Sequence, residues 1–332
     1  MKNNPLTVDV YRGHMVESSH KVHCIVMDKD GQVLESWGDE QRMISPRSSL
    51  KLLQVLPFIE SGAVDALGLG DEEIALACAS HNAEQVHIEK VQGWLARMGL
   101  CVDDLACGGH LSINQARAHE MIRNQEPMTA FLSDCSGKHA AMLSTAVHLN
   151  LDINGYEDIN HPVQQQIFKT ISELAHYDLS NGLSGTDGCS VPNPAIPLKN
   201  LAFAFSHFMN PDRLDQNRAQ ACTRILDAIS THPYLVAGAE RFDTDVVKAT
   251  NGNIIAKIGA EGNYVVFIRD KGITMYLKAE DGVLHRATEP ALGFMLKRFG
   301  AINDQADETL SGYTRPVLKN WKDIEIGKIA VR

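Results

Sequence analysis

The run NIIAKIGAEGNYVVFIRDKGITMYLKA, residues 253–279, decides how the rest of the chain is read. Its segments 253–259, 263–269 and 272–279 alternate or run apolar and are rich in Ile, Val, Tyr and Phe, side chains that suit a pleated, buried surface. Turn signals separate them, at Glu261-Gly262 and Asp270-Lys271-Gly272, and Asp281-Gly282 follows. The spacing predicts three successive strands. The other end of the chain reads alike: LTVDVYRG, then KVHCIVMD, then QVLESWG, with Asp30-Gly31 marking a hairpin between the last two.

The middle has a different rhythm. From about residue 44 to 230, helices are predicted over 48–62, 71–79, 84–98, 114–124, 137–149, 161–176 and 215–230. Loops rich in Gly, Ser, Asp and Pro separate them, above all 177–198. One more helix is expected near 288–299, and the last residues read either way. Strands at both ends around a helical middle imply an α+β fold, with one antiparallel sheet built from both chain ends and flanked by helices. A single domain over 1–332 is expected, with 1–43 and 235–332 mainly sheet and 44–234 mainly helical. A parallel nucleotide-binding fold is excluded, because regular β-α alternation, GxGxxG and GxxxxGK[ST] are all missing.

With 332 residues, 44% of them hydrophobic, the chain can bury a substantial core. Its 31 basic and 41 acidic residues give a formal charge of −10, and no basic run stands out. That argues against nucleic acid as a partner, since phosphate binding needs clustered Lys and Arg. MKNNPLTVDVYRG offers no apolar stretch for a signal peptide or membrane span, so a cytoplasmic protein with no membrane partner is expected. Seven cysteines in a chain this long read as buried thiols or metal ligands rather than a disulfide framework.

Chemistry enters at ISPRSSLKLLQVLP, residues 44–57. Ser45 suits a helix cap and Pro46 the first turn, which places Ser48 and Lys51 on one helical face. A serine hydroxyl is a weak nucleophile until a base takes its proton. Lysine is that base only when its pKa falls well below about 10.4, and the positive end of a helix works in that direction. Ser18 and Lys21 share the interval but lie at the entry to a strand, where residues three apart point to opposite faces. One such spacing also arises by chance, so Ser48 is equally an ordinary serine on this ground alone. Ser80-His81-Asn82 is either a helix cap or a hydroxyl, an imidazole and an amide gathered for a small polar substrate. Lys257, followed by Gly259, either snorkels to solvent or matches the Lys-Thr-Gly strand of penicillin-binding enzymes. Ser-x-x-Lys, Ser-x-Asn and Lys-x-Gly occur in the order those enzymes use.

A thiol cluster is the third feature. LSDCSGKHAAM places Cys135, Lys138 and His139 at a loop-to-helix junction, and GTDGCSVPNPAIPL places Asp187 and Cys189 in a loop. Cysteines beside other ligand types suit Zn²⁺, which favours thiolate and imidazole, and equally suit plain buried thiols. Cys107 and His110 can be read either way too.

These pieces, with YRGHMVESSH, ACASHNAE, CGGH, HPVQQQI, VAGAERFDTD and AKIGAEG, cover nearly the whole chain. Together the sequence resembles the class 3, or rhizobial-type, L-asparaginases (the asparaginase II family). The resemblance implies a fold like the serine β-lactamases and glutaminases, and hydrolysis of L-asparagine to L-aspartate and ammonia by a homodimer. It implies two Ser–Lys pairs, which fall on Ser48 with Lys51 and on Ser80 with Lys257. It also implies zinc held by Cys135, Lys138 and Cys189, although simple zinc chemistry would choose His139 over Lys138. Arg47, His81, Asn82 and Asp187 are candidates for the substrate's α-carboxylate and α-ammonium, with Arg47 suited to the first and Asp187 to the second. Which serine forms the covalent bond stays open. A glutaminase or other small-amide hydrolase shares these motifs, and a non-catalytic zinc-binding protein is the alternative outside enzymes.

Overall fold

The computed structural model describes residues 4–180 and 182–332. The chain enters as β1 (Leu6–Arg12), turns, and returns as the long β2 (Met15–Met27), followed by β3 (Val33–Trp37) and the short β4 (Met43–Ile44). Asp28 closes the β2–β3 turn, its Oδ1 accepting from the Asp30 and Gln32 amides at 2.9 and 2.8 Å. Helices come next: α1 (Lys51–Gln54), α2 (Leu56–Glu60), α3 (Ala63–Ala66), α4 (Asp71–Ala77), α5 (Gln85–Arg97), α6 (Gln115–Arg123), α7 (Ser136–His148) and α8 (Pro162–Ala175). Short strands β5 (Ser184–Thr186), β6 (Pro192–Pro194) and β7 (Ile196–Pro197) lead into α9 (Leu198–Ser206), α10 (Gln216–Thr231), α11 (Pro233–Val236) and α12 (Phe242–Ala249). Strands then return as β8 (Ile254–Gly259), β9 (Asn263–Ile268) and β10 (Ile273–Ala279). The chain ends with α13 (Glu289–Arg298), α14 (Asp304–Thr309), α15 (Ser311–Thr314), β11 (Val317–Lys319) and β12 (Glu325–Val331).

Two compact units result. The first takes in the chain up to Ser49, Ile196–Asn210 and Asp245–Arg332; the second takes in Leu50–Ala195 and Pro211–Thr244.

In the first unit the sheet runs β11-β12-β1-β2-β10-β9-β8, with β3 also on β2, and every pairing is antiparallel. β2 is 13 residues long and serves three neighbours. On one edge its Val22–Met27 stretch meets β10; on the other, Met15–Val22 meets β1 and Cys24–Met27 meets β3. First and last strands thus share one sheet, as the sequence implies. Side chains opposite each other across a ladder share a face. Register therefore puts Ile255, Lys257 and Gly259 of β8 on the face that carries Asn263, Val265, Phe267 and Tyr276. Against that face lies α9, whose Phe205 ring meets Phe267 edge-on and stacks on Tyr276, both at 6.1 Å. Nearly every residue of β8, β9 and β10 is buried, which is why these strands read as apolar runs rather than strict alternation.

Two sequence expectations are revised. The helix predicted over 48–62 is a 3₁₀ turn at Arg47–Leu50 followed by α1 and α2. Pro57 has no N–H to reach the Leu53 carbonyl, so one continuous ladder cannot form. The sequence reading also passes over α9. Most of its residues, Leu198, Leu201, Ala202, Ala204, Phe205 and Ser206, are buried, so its pattern lacks the polar face that marks a surface helix.

In the second unit α4, α7 and α10 form the centre, with α4 packed on both others. Arg218 of α10 spans two acidic partners, Glu60 at 2.7 Å and Glu173 at 2.8 Å. α7 approaches α4 backbone to backbone at Gly137, where a Cβ would sit 2.1 Å from the Leu76 carbonyl oxygen. That close approach sets the C-terminal end of α4, which leads to Ser80, beside the first turn of α7, which carries Lys138. Gly137→Ala is expected to lower stability by about 1–3 kcal/mol, read as a lower urea midpoint with an unchanged slope. An unaltered midpoint would contradict the close approach.

Candidate functional site

The unit boundary falls inside the Ser-x-x-Lys motif, between Ser49 and Leu50. Arg47, Ser48 and Lys257 belong to the first unit; Lys51, Ser80 and the thiol cluster belong to the second.

In the first unit Ser48 is half-buried on the turn that opens the 3₁₀ segment. The residue before it, Arg47, has φ +52°, a left-handed conformation that side chains other than glycine disfavour. Ser49 Oγ lies 2.7 Å from the Pro46 carbonyl oxygen and 2.7 Å from Tyr276 Oη. Lys257 is 1% exposed, and its Nζ donates to the Ile258 carbonyl at 2.9 Å. It does not snorkel.

In the second unit the centre is Lys51, also 1% exposed. Its Nζ donates to Ser80 Oγ at 3.0 Å and to the Ala79 carbonyl, and lies 3.9 Å from Asp134 Oδ2. His110 Nε2 approaches the other Asp134 oxygen at 3.4 Å. Burial opposes ionisation of Asp134, but the Lys51 charge and the His110 hydrogen bond outweigh it and hold the carboxyl well below its usual range. Burial likewise disfavours the Lys51 ammonium, yet its acidic neighbours, Cys135 and then Asp134, outweigh it and push its pKa up. This departs from the lowered pKa expected from a helix start. The helix that Lys51 opens has only four residues, too short for a strong dipole, and the counter-charge comes from the segment before α7.

Cys189 rides on the loop between β5 and β6, closed by the Asp187 amide donating to the Val191 carbonyl at 2.9 Å and by Ser190 at φ +76°. Lys138 Nζ reaches Cys189 Sγ at 3.0 Å. A hydrogen bond from the Cys135 thiol, with the Lys138 charge, holds Cys189 far below the ordinary thiol range; Cys135 is pushed up in return. Burial works against the Lys138 ammonium, but Cys189 and Cys135 outweigh it, with Asp187 adding to the effect. A thiol, a thiolate and an ammonium therefore share one buried pocket. His139 donates or accepts at Nδ1 with Tyr156 Oη at 2.6 Å, and its buried Nε2 lacks a hydrogen bond of ordinary geometry. Burial first of all keeps that imidazole neutral.

Among the described residues no three His, Cys, Asp or Glu side chains gather as a metal site. Cys135, Cys189 and Lys138 do gather, and two sulfurs with one nitrogen are donors that zinc accepts once their protons leave, so the residues fit the ion. The alternative pair, Cys107 and His110, is engaged otherwise: Cys107 Sγ faces the Ala130 carbonyl at 3.8 Å, and His110 serves Asp134.

His81 and Asn82 spend their polar atoms inside the fold. His81 Nε2 meets Ser136 Oγ at 2.9 Å, and Nδ1 accepts from the Ala83 amide at 3.1 Å. Its ring stacks on His87 at 4.8 Å, and burial, then the neighbouring His87, holds its pKa well down. Asn82 Nδ2 donates to the Ala239 carbonyl at 2.9 Å and its Oδ1 accepts from Arg241 at 2.9 Å. Arg241 also donates to the Ser80 carbonyl at 3.1 Å. These residues shape the loop that presents Ser80. Asp134 and Arg241 are contributors that sequence reasoning missed. Both lie inside quoted motifs, LSDCSGKHAAML and VAGAERFDTD, but no spacing rule ties position 134 to 51 or 241 to 80.

An antiparallel sheet from both chain ends, a helical unit, and buried lysines beside serine and cysteine define an α+β protein with a charged, enclosed polar centre. A model of the L-asparaginase II family matches residues 8–331, and the chain belongs to that family. Membership makes it a hydrolase of the asparaginase kind, with a small-molecule amide as substrate. No curated protein sequence matches it. Among solved structures it is similar to a protein described as a beta-lactamase from Bacteroides dorei DSM 17855, at 12% identity over 83% of this chain and 92% of that one, TM-score 0.45. A beta-lactamase from Mycobacterium bovis stands at 11% identity over 85% and 95%, TM-score 0.44. Among the described residues no helix is long and apolar enough to cross a membrane.

Arg241→Ala removes the hydrogen bonds that Arg241 gives to the Ser80 carbonyl and Asn82 Oδ1. It is expected to lower stability by about 1–3 kcal/mol, measured by urea unfolding. A change within error would show that the loop does not depend on it.

Proposed function

We propose that this chain hydrolyses the side-chain amide of L-asparagine to L-aspartate and ammonia, with a serine nucleophile, lysine proton carriers and zinc at Cys135, Lys138 and Cys189. The observation that carries the reading is the buried contact between Lys51 Nζ and Ser80 Oγ, 3.0 Å, in a chain whose family match runs over 8–331. The roles of Ser48, Lys257 and Arg47 rest on the resemblance of their motifs.

In this mechanism the Ser48 hydroxyl attacks the amide carbon and gives up its proton to Lys51. The amide nitrogen is protonated, the C–N bond breaks, and ammonia leaves. Water then attacks the ester carbon, releasing aspartate and restoring Ser48. Ser80, in contact with Lys51, and Lys257, its partner by the resemblance, relay protons or orient Ser48. Arg47 receives the substrate's α-carboxylate and Asp187 its α-ammonium, while His81 and Asn82 hold the Ser80 loop. Bound zinc would supply positive charge that offsets the two thiolates, and Lys51 serves as base in its neutral amine form, which burial favours.

Ammonia release from L-asparagine and L-glutamine tests the reading. Ser48→Ala is expected to lower kcat by about 10³-fold or more; unchanged release would refute the Ser48 assignment, and equal or faster glutamine turnover would overturn the substrate. A wild-type chain that binds zinc but releases no ammonia from either would favour a binding protein. Cys135→Ser and Cys189→Ser should each abolish stoichiometric zinc, and metal retained by both would refute the site. The metal-free cluster holds protons on Cys135 and Lys138, and binding displaces them. Apparent zinc affinity should therefore rise with pH, with acidification of a weakly buffered solution on titration. No released proton would contradict the ligand set.

A further inference from the structure

We infer that Tyr276 and Asn263 are positioning residues for Ser48: together with Ser49 they form a buried polar network that fixes the turn presenting its hydroxyl. The inference rests on the reading of Ser48 as the nucleophile. Tyr276 stands mid-strand in β10, paired with Ile25 on one edge and Val265 on the other, so its ring is carried by the most constrained part of the sheet. Ser49, Tyr276 and Asn263 are all fully buried. Tyr276 Oη lies 2.7 Å from Ser49 Oγ and donates to Asn263 Oδ1 at 3.1 Å. Asn263 Nδ2 donates to the Ser45 carbonyl at 3.1 Å and to the Ala260 carbonyl at 2.6 Å.

The turn is therefore held at both ends, Ser45 by its carbonyl and Ser49 by its hydroxyl. It is also pressed on from the side. A Cβ on Gly259 would lie 2.5 Å from the Pro46 carbonyl oxygen and 3.0 Å from the Ser49 amide, so only glycine lets β8 come this close. Between the two fixed points stand Arg47, in the left-handed conformation, and Ser48. A disfavoured backbone persists only where its surroundings over-determine it, and this network supplies that determination. The ring's apolar contacts do not explain the hydroxyl, since phenylalanine would stack on Phe205 equally well. A buried hydroxyl needs its partners, and here they are the turn and the residue that holds the turn's other end. Tyr276 touches Ser49 rather than Ser48, so its effect is on placement and not on proton transfer.

Tyr276→Phe and Ser49→Ala remove the same contact from opposite sides. With ammonia release from L-asparagine followed well below the melting temperature, each is expected to lower kcat by about 10- to 100-fold while KM stays within about twofold. Both limbs of the kcat–pH profile should stay where the wild type has them. The double variant should fall by clearly less than the product of the two single losses, because both lose one shared bond. A kcat within about twofold of wild type in both variants, with only the melting temperature lowered, would reduce the network to core packing. Losses that multiply in the double variant, or a displaced pH limb, would equally overturn the inference. Ser48→Ala is run alongside. If it keeps wild-type turnover, the nucleophile reading fails and takes this inference with it. If it is inactive while Tyr276→Phe is normal, only this inference falls. Should Tyr276→Phe not fold, Ser49→Ala, which deletes a single oxygen, carries the test by itself.

Discussion

Three lysine side chains, those of Lys51, Lys138 and Lys257, are enclosed to within 2% of complete burial. An ammonium taken out of water is strongly unfavourable unless its charge is opposed and its protons find acceptors. Much of the surrounding structure answers that requirement. Lys51 draws in the end of α4 through the Ala79 carbonyl and Ser80 Oγ, and the segment before α7 through Asp134. Lys138 draws in the β5–β6 loop through the Cys189 sulfur. Charge balance thus explains why a thiolate, normally reactive, is held here beside an ammonium and a second thiol. Gly137 supplies the steric half of the same arrangement, since without it α4 and α7 could not stand close enough.

The two serines are supported differently. Ser80 is presented by a loop whose carbonyls and side chains are tied down by Arg241, Asn82 and His81. Its partner lysine is already in contact. Ser48 instead sits after a left-handed arginine on a short turn, where geometry is maintained from beneath by the sheet. One is held by charge and hydrogen bonding within the helical unit, the other by backbone constraint within the sheet unit.

Local pattern made the strands and most helices legible. Glycine-marked turns bounded β8, β9 and β10, and helical periodicity located α4 to α8 and α10. What escaped were features decided elsewhere in the chain. α9 is apolar nearly all round because it is buried on the sheet, so it carries no periodic signature. Pro57 divided a helix that the apolar pattern alone would have kept whole. At the site, residue types were readable from motifs, but their electrostatics were not. Whether Lys51 is cation or base depends on Asp134 and Cys135, more than 80 positions away, and no spacing argument reaches that far. His81 and Asn82 show the converse, since side chains that look ready for a ligand are consumed by the fold.

The pairing of β2 with β10 has a consequence for biogenesis. Residues 22–27 are synthesised well before their partners at 274–279. At ordinary elongation rates that delay is on the order of tens of seconds. Throughout it, Cys24-Ile25-Val26-Met27 offers an apolar strand with an unfilled edge, bounded only by the β1 and β3 hairpins. Leu50–Ala195 appears in the interval and can begin to condense from local helical contacts. This ladder closes only once residues 274–279 have been made, so until then the nascent chain carries an open edge prone to aggregation.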